Sequence, residues 1–277
     1  MTKNSMSVCS TCESGCGAVA KGVARVLGFF GLIILLTPLQ VLSRFWGGLD
    51  PFTMPRLFHR CTVRLLGFKV RVRGTMTDSR PVLFVSNHSS YLDVPVLGSI
   101  IPAAFVAKSE VAGWPLVGAL ARLQRTVFIE RRAQRAGVQR DGMRRRLQQN
   151  HSIILFPEGT SSDGMRTLPF KSSLFSIVET ALSNGNTVTV QPVSLVCTEL
   201  GGLPIGRAWR PFYAWYGDMT FIPHFWNVFK LGHFTVDVIF HPPVTITEFA
   251  DRKALAVFCR GVIAKGVEEC LTGRHSG

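Results

Sequence analysis

Residues 81–93 read Pro81-Val82-Leu83-Phe84-Val85-Ser86-Asn87-His88-Ser89-Ser90-Tyr91-Leu92-Asp93. The apolar run at 81–86 predicts a buried strand, and the polar residues after it predict a turn. On a regular helix, five residues advance about 500°, which leaves two side chains at that spacing about 140° apart. The side chains of His88 and Asp93 can therefore meet only if His88 lies in the turn and Asp93 on the first turn of the next helix.

The pair His88 and Asp93 suits acid–base chemistry. A neutral imidazole can take a proton from a hydroxyl near neutral pH, and a carboxylate on its other nitrogen fixes the tautomer and stabilises the imidazolium. The alternative interpretation is structural: Asn87 caps a helix and His88 is an ordinary loop histidine.

A second strand and turn occur at residues 152–164, where Ser152-Ile153-Ile154-Leu155-Phe156 leads into Pro157-Glu158-Gly159-Thr160-Ser161-Ser162-Asp163-Gly164. Pro157 bars helix continuation, and Gly159 permits unusual backbone angles. The segment can be read as a turn that ends a strand. However, both polar blocks follow predicted parallel strands, and open α/β sheets build their sites at the carboxyl ends of such strands.

The rest of the chain alternates between strand and helix patterns. Residues 68–73 have an apolar–polar period of two, which predicts an edge strand with one solvated face. Further strands are predicted near 81–86, 104–107, 125–130, 152–156, 187–196 and 234–240, and a last helix from about 247 to 271. The sequence thus predicts an α/β fold with a mixed, mostly parallel sheet flanked by helices, preceded by an N-terminal membrane-anchoring helix.

Several blocks together resemble the lysophosphatidic acid acyltransferase family of glycerolipid synthesis. They occur in the family's order across residues 81–196: Asn87-His88 with Asp93, Val127-Phe128-Ile129-Glu130-Arg131, Phe156-Pro157-Glu158-Gly159-Thr160, Pro169-Phe170-Lys171 and Val190-Gln191-Pro192-Val193. The resemblance implies an enzyme that moves a fatty acyl group from an acyl thioester, on acyl-carrier protein or coenzyme A, to the hydroxyl of a lysolipid.

The chain departs from the family at one position. The family usually continues Glu-Gly-Thr-Arg, and that arginine is thought to hold the acceptor's phosphate, whereas this chain has Ser161. A serine hydroxyl cannot replace the charge of a guanidinium. The segment from Phe156 to Lys171, with residues 214–219, is more similar to the lyso-ornithine lipid acyltransferase branch, whose acceptor has no phosphate. Lyso-ornithine lipid is therefore the expected acceptor and lysophosphatidic acid the alternative.

The resemblance also implies roles for individual residues. His88 is the expected base, and Asp93 orients it. The residues expected to bind substrate are Arg131, Glu158, Gly159, Thr160, Ser161 and Lys171, with the amides around Gly159 and Thr160 as candidate oxyanion donors. No cofactor and no metal are expected. A lipid-binding protein without turnover is disfavoured by the intact pair His88 and Asp93, and a hydrolase by the lack of a Gly-x-Ser-x-Gly elbow.

Charge and composition fit a membrane-associated enzyme. Hydrophobic residues make up 47% of the chain, charged residues 17%, and the net charge is +14. A helix predicted between the block at residues 127–131 and the block at residues 156–160 carries many arginines and is either a solvated basic face or a docking site for anionic headgroups or an acidic carrier protein. Nucleic acid is not an expected partner, because no zinc-finger spacing or aromatic RNA-binding signature is present. Those arginines are Arg131, Arg132, Arg135, Arg140, Arg144, Arg145 and Arg146.

The N-terminal region predicts a tail and an anchor. Residues 1–20 are rich in Ser, Gly and Cys and are expected to be disordered, residues 21–54 to form a spanning or re-entrant membrane anchor, and residues 55–277 to form the acyltransferase domain. The resemblance places the enzyme at the inner membrane, facing the cytoplasm. The aromatic residues between 209 and 229 predict core packing or an interfacial belt.

The seven cysteines predict neither a disulfide framework nor a metal site. Cys9, Cys12 and Cys16 have metal-like spacing, but structural zinc needs four ligands, and no fourth ligand lies nearby in the sequence. The other cysteines lie among apolar neighbours and are expected to be buried thiols.

Overall fold

The computed structural model describes residues 15–43, 50–129, 136–179 and 187–273. One sheet organises this part of the chain, and its strands run in the order β1-β8-β6-β2-β5-β3-β4, with the short β7 and β9 pairing to β6. The strands are β1 (Lys69–Arg73), β2 (Val82–Ser86), β3 (Ala104–Lys108), β4 (Val127–Ile129), β5 (Ile153–Leu155), β6 (Thr189–Leu200), β7 (Leu203–Pro204), β8 (Phe234–Phe240) and β9 (Val244–Thr245).

Seven α-helices surround the sheet in the described residues. They are α1 (Gly15–Ser43), α2 (Thr53–Leu65), α3 (Asp93–Ile100), α4 (Val117–Leu123), α5 (Ala136–Gln148), α6 (Phe221–Leu231) and α7 (Arg252–Thr272). A 3-10 helix at Arg207–Phe212 precedes α6, and another at Ser172–Glu179 follows the second polar block.

The sheet is mixed and mostly parallel, as the sequence predicts. β2 lies in its middle and pairs in parallel with both β5 and β6, whereas β8 runs antiparallel to β6. Every residue of β2 and β5 is buried, which explains why these strands read as continuous apolar runs rather than alternating ones. β1 lies at one edge of the main sheet and pairs in parallel with β8, which confirms the edge strand predicted from its period of two.

Alternate residues of the central strands face two separate cores. Phe84 and Ile154 pack with α2, α3 and α6 on one face. Leu83 and Leu155 pack with α5, α7 and the 3-10 helix at Ser172–Glu179 on the other face. This period-two division fixes the register of the sheet, because a shift by one residue would exchange the two faces of every strand. The polar turns at the carboxyl ends of β2 and β5 are consequently held in place by buried strands.

Helix α1 is longer than the sequence predicts. It begins at Gly15, so residues 15–20 are helical rather than part of a disordered tail, and it continues past Pro38. Phe29 packs against Phe58 of α2 and Phe225 and Phe229 of α6, which ties α1 to the body of the protein. Residues 1–14, including Cys9 and Cys12, lie outside the described residues.

The opposite face of α1 is apolar and exposed. Leu27 is 67% exposed, Ile34 73% and Leu35 64%. From Cys16 to Ser43 the helix is long and apolar enough to cross a membrane by length and composition, with a mean hydropathy of 2.1 over its most apolar window. No other helix in the described ranges meets this criterion.

The arginine-rich helix and the last helix both form. In α5, Met143 and Leu147 enter the core while Arg144 and Arg145 are exposed, and the predicted members Arg131, Arg132 and Arg135 lie outside the described residues. Helix α7 begins at Arg252 rather than at 247, because the carboxylate of Asp251 accepts hydrogen bonds from the amides of Lys253 and Ala254 and caps the helix there.

Candidate active site

The two polar blocks meet at one edge of the sheet. Because β2 and β5 are parallel neighbours, their carboxyl ends lie side by side, and the turns that follow are in contact. The amide of Ser162 in the second turn donates a hydrogen bond of 2.9 Å to the carbonyl of His88 in the first. Glu158 Oε1 accepts a hydrogen bond of 3.3 Å from the His88 amide. The sequence prediction that the two blocks meet at this edge of the sheet is confirmed.

His88 and Asp93 form a hydrogen-bonded pair. His88 lies in the turn, Asp93 is the first residue of α3, and 2.9 Å separates His88 Nδ1 from Asp93 Oδ2, as the spacing argument requires. A carboxylate only accepts hydrogen bonds, so the bond assigns the proton of a neutral imidazole to Nδ1 and leaves a lone pair on Nε2. The His88 side chain is 21% exposed, and its Nε2 makes no hydrogen bond to any described residue. It is placed to take a proton from a bound hydroxyl.

Asp93 is fully buried, and both oxygens of its carboxylate accept hydrogen bonds. Its Oδ2 also accepts hydrogen bonds from the amides of Ser89 (2.7 Å) and Ser90 (2.9 Å). Its Oδ1 accepts from the Tyr213 hydroxyl at 3.0 Å and the Ser89 hydroxyl at 3.3 Å. Its place in the first turn of α3 adds the favourable end of the helix dipole. These contacts fix the carboxylate and thereby fix the plane and tautomer of His88.

The side chain of Asn87 continues the sheet instead of capping a helix. Its Nδ2 donates to the carbonyl of Leu195 at 2.8 Å, and its Oδ1 accepts from the amide of Leu195 at 2.9 Å. The N-cap position of α3 is Leu92, which has no side chain able to cap. The structural alternative for Asn87, a helix cap, is therefore wrong. Asn87 instead clamps the end of β2 to β6 immediately before His88.

A stack of aromatic rings supports the imidazole. The rings of His88 and Phe156 are 4.2 Å apart and 18° from parallel, and Phe156 in turn stacks on Phe105 at 6.3 Å. Phe156 directly follows β5, so the end of that strand places the ring on which the imidazole of His88 stacks. The stack restricts rotation of the ring, and the bond to Asp93 restricts its orientation within that plane.

Glu158 lies beneath both turns and is 3% exposed. Burial raises the pKa of its carboxyl to about 8; the charge of Asp93 adds to this, while hydrogen bonds from the amides of His88 and Leu168 oppose it. Its Oε2 is buried and has no hydrogen-bond partner in the described part of the chain. At neutral pH the group is thus largely protonated, and the bond from the His88 amide makes it a brace between the two turns.

Three other predicted substrate-binding residues, Gly159, Thr160 and Lys171, lie in or next to the second turn. Gly159 has φ of +68°, and a side chain there would lie 2.8 Å from Lys171 Nζ, so the glycine both forms the turn and admits the lysine. Thr160 and Lys171 are exposed. The Gly159 amide donates to the Phe156 carbonyl at 3.1 Å and is therefore used by the turn. Arg131 lies outside the described residues.

Ser161, which replaces the family's arginine, has a structural partner. Its hydroxyl donates a hydrogen bond to the carbonyl of Trp215. The amide of Trp215 donates to the carbonyl of Ser89 at 2.8 Å. The segment from Arg210 to Trp215 is thereby fastened to both turns and forms a wall of the site. We call it the wall segment.

Sequence reasoning missed two residues of this site, Tyr213 and Asn87. Tyr213 belongs to the aromatic stretch that predicts core packing, and it is 1% exposed, as such packing requires. Nothing local in the sequence marks its hydroxyl as a partner of Asp93, since the two residues are far apart along the chain. The position of Asn87 directly after a strand could have indicated its role. An amide side chain there can form the same pair of hydrogen bonds to the neighbouring strand that a backbone amide and carbonyl would form.

The comparisons with known proteins agree with this geometry. A model of the family described as Acyltransferase matches residues 68–196. A lyso-ornithine lipid O-acyltransferase from Rhizobium meliloti is 41% identical over 245 residues, which cover 87% of this chain and 84% of that protein. The chain belongs to this acyltransferase family. The acyltransferase is also 32% identical, over 63% of its length and 64% of the relative's, to a 1-acyl-sn-glycerol-3-phosphate acyltransferase from Neisseria gonorrhoeae.

The fold of the acyltransferase matches a solved structure. The crystal structure of a 1-acyl-sn-glycerophosphate acyltransferase from Thermotoga maritima aligns with a TM-score of 0.67 and 24% identity, covering 94% of this chain and all of that one. This likeness confirms the architecture. The chain is therefore an acyltransferase with a mostly parallel, helix-flanked sheet.

Proposed function

We propose that this acyltransferase transfers a fatty acyl group to the hydroxyl of lyso-ornithine lipid, with His88 as general base. The observation that carries the reaction is the pair formed by His88 and the fully buried Asp93, which leaves Nε2 available in the turn that follows β2. The acceptor is supported by the R. meliloti relative, which is named for that activity.

The proposed reaction is a direct transfer. His88 Nε2 takes the proton of the acceptor hydroxyl as the hydroxyl oxygen forms a bond to the carbonyl carbon of the thioester. The tetrahedral intermediate then collapses, the carbon–sulfur bond breaks, and the imidazolium returns its proton to the leaving thiolate. Asp93 stabilises the imidazolium in between and keeps Nδ1 protonated, so the substrate's own alcohol takes the part that serine plays in a serine protease.

The oxyanion of that intermediate needs donors in fixed positions. The Gly159 amide is occupied by the Phe156 carbonyl, whereas the amide of the exposed Thr160 makes no hydrogen bond within the described residues. Thr160 is therefore the better candidate of the two amides that the sequence predicts. Lys171, whose ammonium group lies over Gly159, is a candidate source of positive charge at the same turn.

The donor is an acyl thioester carried by acyl-carrier protein or coenzyme A. Both carriers are anionic, and the net charge of +14, with Arg144 and Arg145 exposed on α5, favours their approach. The protein would act at the inner membrane from its cytoplasmic side, held by residues 21–54, while residues 55–277 form the acyltransferase domain. The exposed apolar face of α1 supports this arrangement.

Position 161 favours the branch of the family whose acceptor has no phosphate. A hydroxyl fastened to the carbonyl of Trp215 offers no positive charge to a phosphate. Losing a charge-assisted contact of about 1.5 to 3 kcal/mol lowers phosphate-acceptor binding by roughly ten- to a hundred-fold. The N. gonorrhoeae relative, named as a 1-acyl-sn-glycerol-3-phosphate acyltransferase, keeps lysophosphatidic acid as the second candidate acceptor.

The test offers both acceptors to the purified protein in vesicles, with one labelled acyl donor at a time on carrier protein and on coenzyme A. We expect kcat/KM for lyso-ornithine lipid to exceed that for lysophosphatidic acid by roughly ten- to a hundred-fold. Equal or faster turnover of lysophosphatidic acid would contradict the proposed acceptor and return the protein to the family's glycerolipid activity.

A further inference from the structure

Arg210 is a half-buried cation beside the candidate site. It begins the wall segment and lies on the 3-10 helix at Arg207–Phe212, and its Nη1 donates a hydrogen bond of 3.4 Å to the carbonyl of Gly164. Within the described residues it makes no ion pair, whereas Arg71 at the far edge of the sheet is bound by both Asp237 and Glu199. A guanidinium has five donors, so most of the hydrogen-bonding capacity of Arg210 is unused by the protein.

The guanidinium of Arg210 lies next to the catalytic turn. A side chain at Gly164 would lie 3.4 Å from Ser89 Cβ and 3.9 Å from Arg210 Nη1, so a single glycine separates the cation from the residue that follows His88. Ser89, Gly164 and Arg210 also line one cavity together with Asp163 and Tyr213. The glycine, with φ of +72°, keeps this approach open.

The local electrostatics favour an incoming anion. Partial burial removes water from the Arg210 guanidinium and lowers its pKa, while the nearby carboxylate of Asp163 acts in the opposite direction. A desolvated cation gains most from a hydrogen-bonded anion, and the planar fork of arginine fits a carboxylate in a bidentate manner. Asp163 is half-buried and uses Oδ1 for the amide of Met165 at 3.0 Å, which leaves Oδ2 for a ligand.

We infer that Arg210 binds the free carboxylate of the lyso-ornithine lipid headgroup and that Asp163 binds its ammonium group. The inference rests on the proposed acceptor and adds the residues that select it. In that acceptor about five covalent bonds separate the carboxylate carbon from the carbon bearing the reactive hydroxyl, a span of about 6 Å when extended. A headgroup held at Arg210 therefore leaves the hydroxyl within reach of the turn that carries His88.

The wall segment explains how Ser161 contributes without charge. The Ser161 hydroxyl donates a hydrogen bond to the carbonyl of Trp215, and the amide of Trp215 donates one to the carbonyl of Ser89. These two bonds fix the position of the wall segment, and with it Arg210, relative to the turn that carries His88. The chain thus lacks the family's arginine at position 161, and the wall segment supplies a different arginine, Arg210. One cation and one anion match a zwitterionic headgroup better than a phosphate with close to two negative charges.

The first experiment measures acyl transfer by Arg210→Gln with two acceptors, lyso-ornithine lipid and its analogue with a carboxamide in place of the carboxylate. Arg207→Gln, an exposed arginine on the same 3-10 helix, is the matched control. In the wild-type protein we expect KM for the carboxamide to be roughly ten- to a hundred-fold above that for the natural acceptor. Arg210→Gln raises KM for the natural acceptor by a similar factor, keeps kcat within a few-fold and no longer distinguishes the two lipids. Arg207→Gln behaves as wild type.

The outcomes separate the inference from the proposed function. If the wild-type protein does not acylate lyso-ornithine lipid at all, the proposed function is wrong, and the inference fails with it. If it does so but treats the carboxamide and the carboxylate alike, the inference alone is overturned. Selective loss of lysophosphatidic acid turnover in Arg210→Gln would also overturn it, since Arg210 would then serve a phosphate.

Two further variants keep the test decisive. Arg210→Lys retains the positive charge but loses the planar guanidinium that can bind a carboxylate through two hydrogen bonds. It should fold even if the glutamine variant does not. The ratio of its KM values for the two acceptors should lie between those of wild type and Arg210→Gln. Asp163→Asn is tested with lyso-ornithine lipid acetylated on its side-chain amine, and we expect the variant to lose the wild-type preference for the free amine. An unchanged preference in Asp163→Asn would remove Asp163 from the site.

Discussion

The hydroxyl of Tyr213 donates to Oδ1 of Asp93 at 3.0 Å, while His88 binds Oδ2 of the same carboxylate at 2.9 Å. The two bonds share one fully buried carboxylate, so Tyr213 is linked to His88, the proposed base, through Asp93. Tyr213 is part of the wall segment, and it therefore connects that segment to the pair formed by His88 and Asp93.

Tyr213→Phe should reduce kcat with little change in KM. The substitution keeps the buried ring and removes one hydrogen bond to a charged group, which is typically worth about 1.5 to 3 kcal/mol, so the loss in kcat is at most about ten- to a hundred-fold. Steady-state kinetics on vesicles measure both constants. Tyr216→Phe, a half-buried tyrosine just beyond the wall segment, serves as the control and should leave kcat unchanged. A variant with normal kcat and only a lower melting temperature would assign Tyr213 a purely structural role.

The raised pKa of Glu158 predicts a pH-dependent stability. The folded state binds this proton more tightly than the unfolded state, in which the carboxyl has its ordinary pKa of 4.5, whereas burial raises the pKa in the fold to about 8. The contribution is fully present below pH 4.5 and is lost as the pH rises through about 8. Glu158→Gln imitates the protonated form, so it should differ least from wild type near pH 5, become progressively more stable than wild type as the pH rises, and keep a constant advantage above about pH 8.

Melting temperatures of both proteins between pH 5 and 9 test this prediction. Glu179→Gln is the control, because Glu179 is exposed and paired with Arg252 and should not reproduce the effect. A constant difference between wild type and Glu158→Gln across the pH range would mean that Glu158 is ionised in the folded protein.

Ser161→Arg should shift the acceptor ratio toward lysophosphatidic acid. The new guanidinium supplies the charge-assisted phosphate contact that the family has at this position, worth roughly ten- to a hundred-fold in binding. Ser161→Ala is the matched control, since it removes the hydrogen bond to Trp215 without adding charge. The ratio of kcat/KM values for the two acceptors is measured in all three proteins. An unchanged ratio in Ser161→Arg would show that the residue at position 161 does not select the acceptor headgroup.

Ile34→Glu should weaken membrane binding without unfolding the protein. Ile34 on α1 is 73% exposed, and a charge placed at the centre of an inserted helix costs about 2.5 to 3.5 kcal/mol. Val257→Glu is the matched control, because Val257 on α7 has the same exposure and lies outside the anchor. Vesicle flotation with both variants measures binding. Equal flotation of both would argue against α1 as the anchor.

The sequence predicts the sheet well because its central strands are buried on both faces. β2 and β5 appear as unbroken apolar runs, and the mixed, mostly parallel sheet that they predict is the one observed. The encounter of His88 with Asp93 also follows from spacing alone, since helical geometry leaves one arrangement in which the two side chains meet. Element ends are less accurate: β6 runs to Leu200 instead of 196, and the pairing of β7 and β9 depends on contacts that no local pattern reveals.

Contacts between distant segments account for what the sequence could not predict. Tyr213 and Arg210 belong to an aromatic-rich stretch without a local functional motif, and only the folded wall segment brings them to Asp93 and Gly164. The packing of α1 also depends on such contacts. Gly22 lies against Trp226 and Lys230 of α6, which are far from it along the chain.

The most direct test of the account is acyl transfer by His88→Ala to lyso-ornithine lipid in vesicles. A positioned general base contributes about 10² to 10⁴ in rate, so we expect kcat to fall by that factor while membrane binding and the melting temperature are unchanged. His233→Ala, which removes an exposed histidine paired with Arg25, should retain activity. Near wild-type turnover by His88→Ala would contradict the assignment of His88 as the base and with it the proposed mechanism.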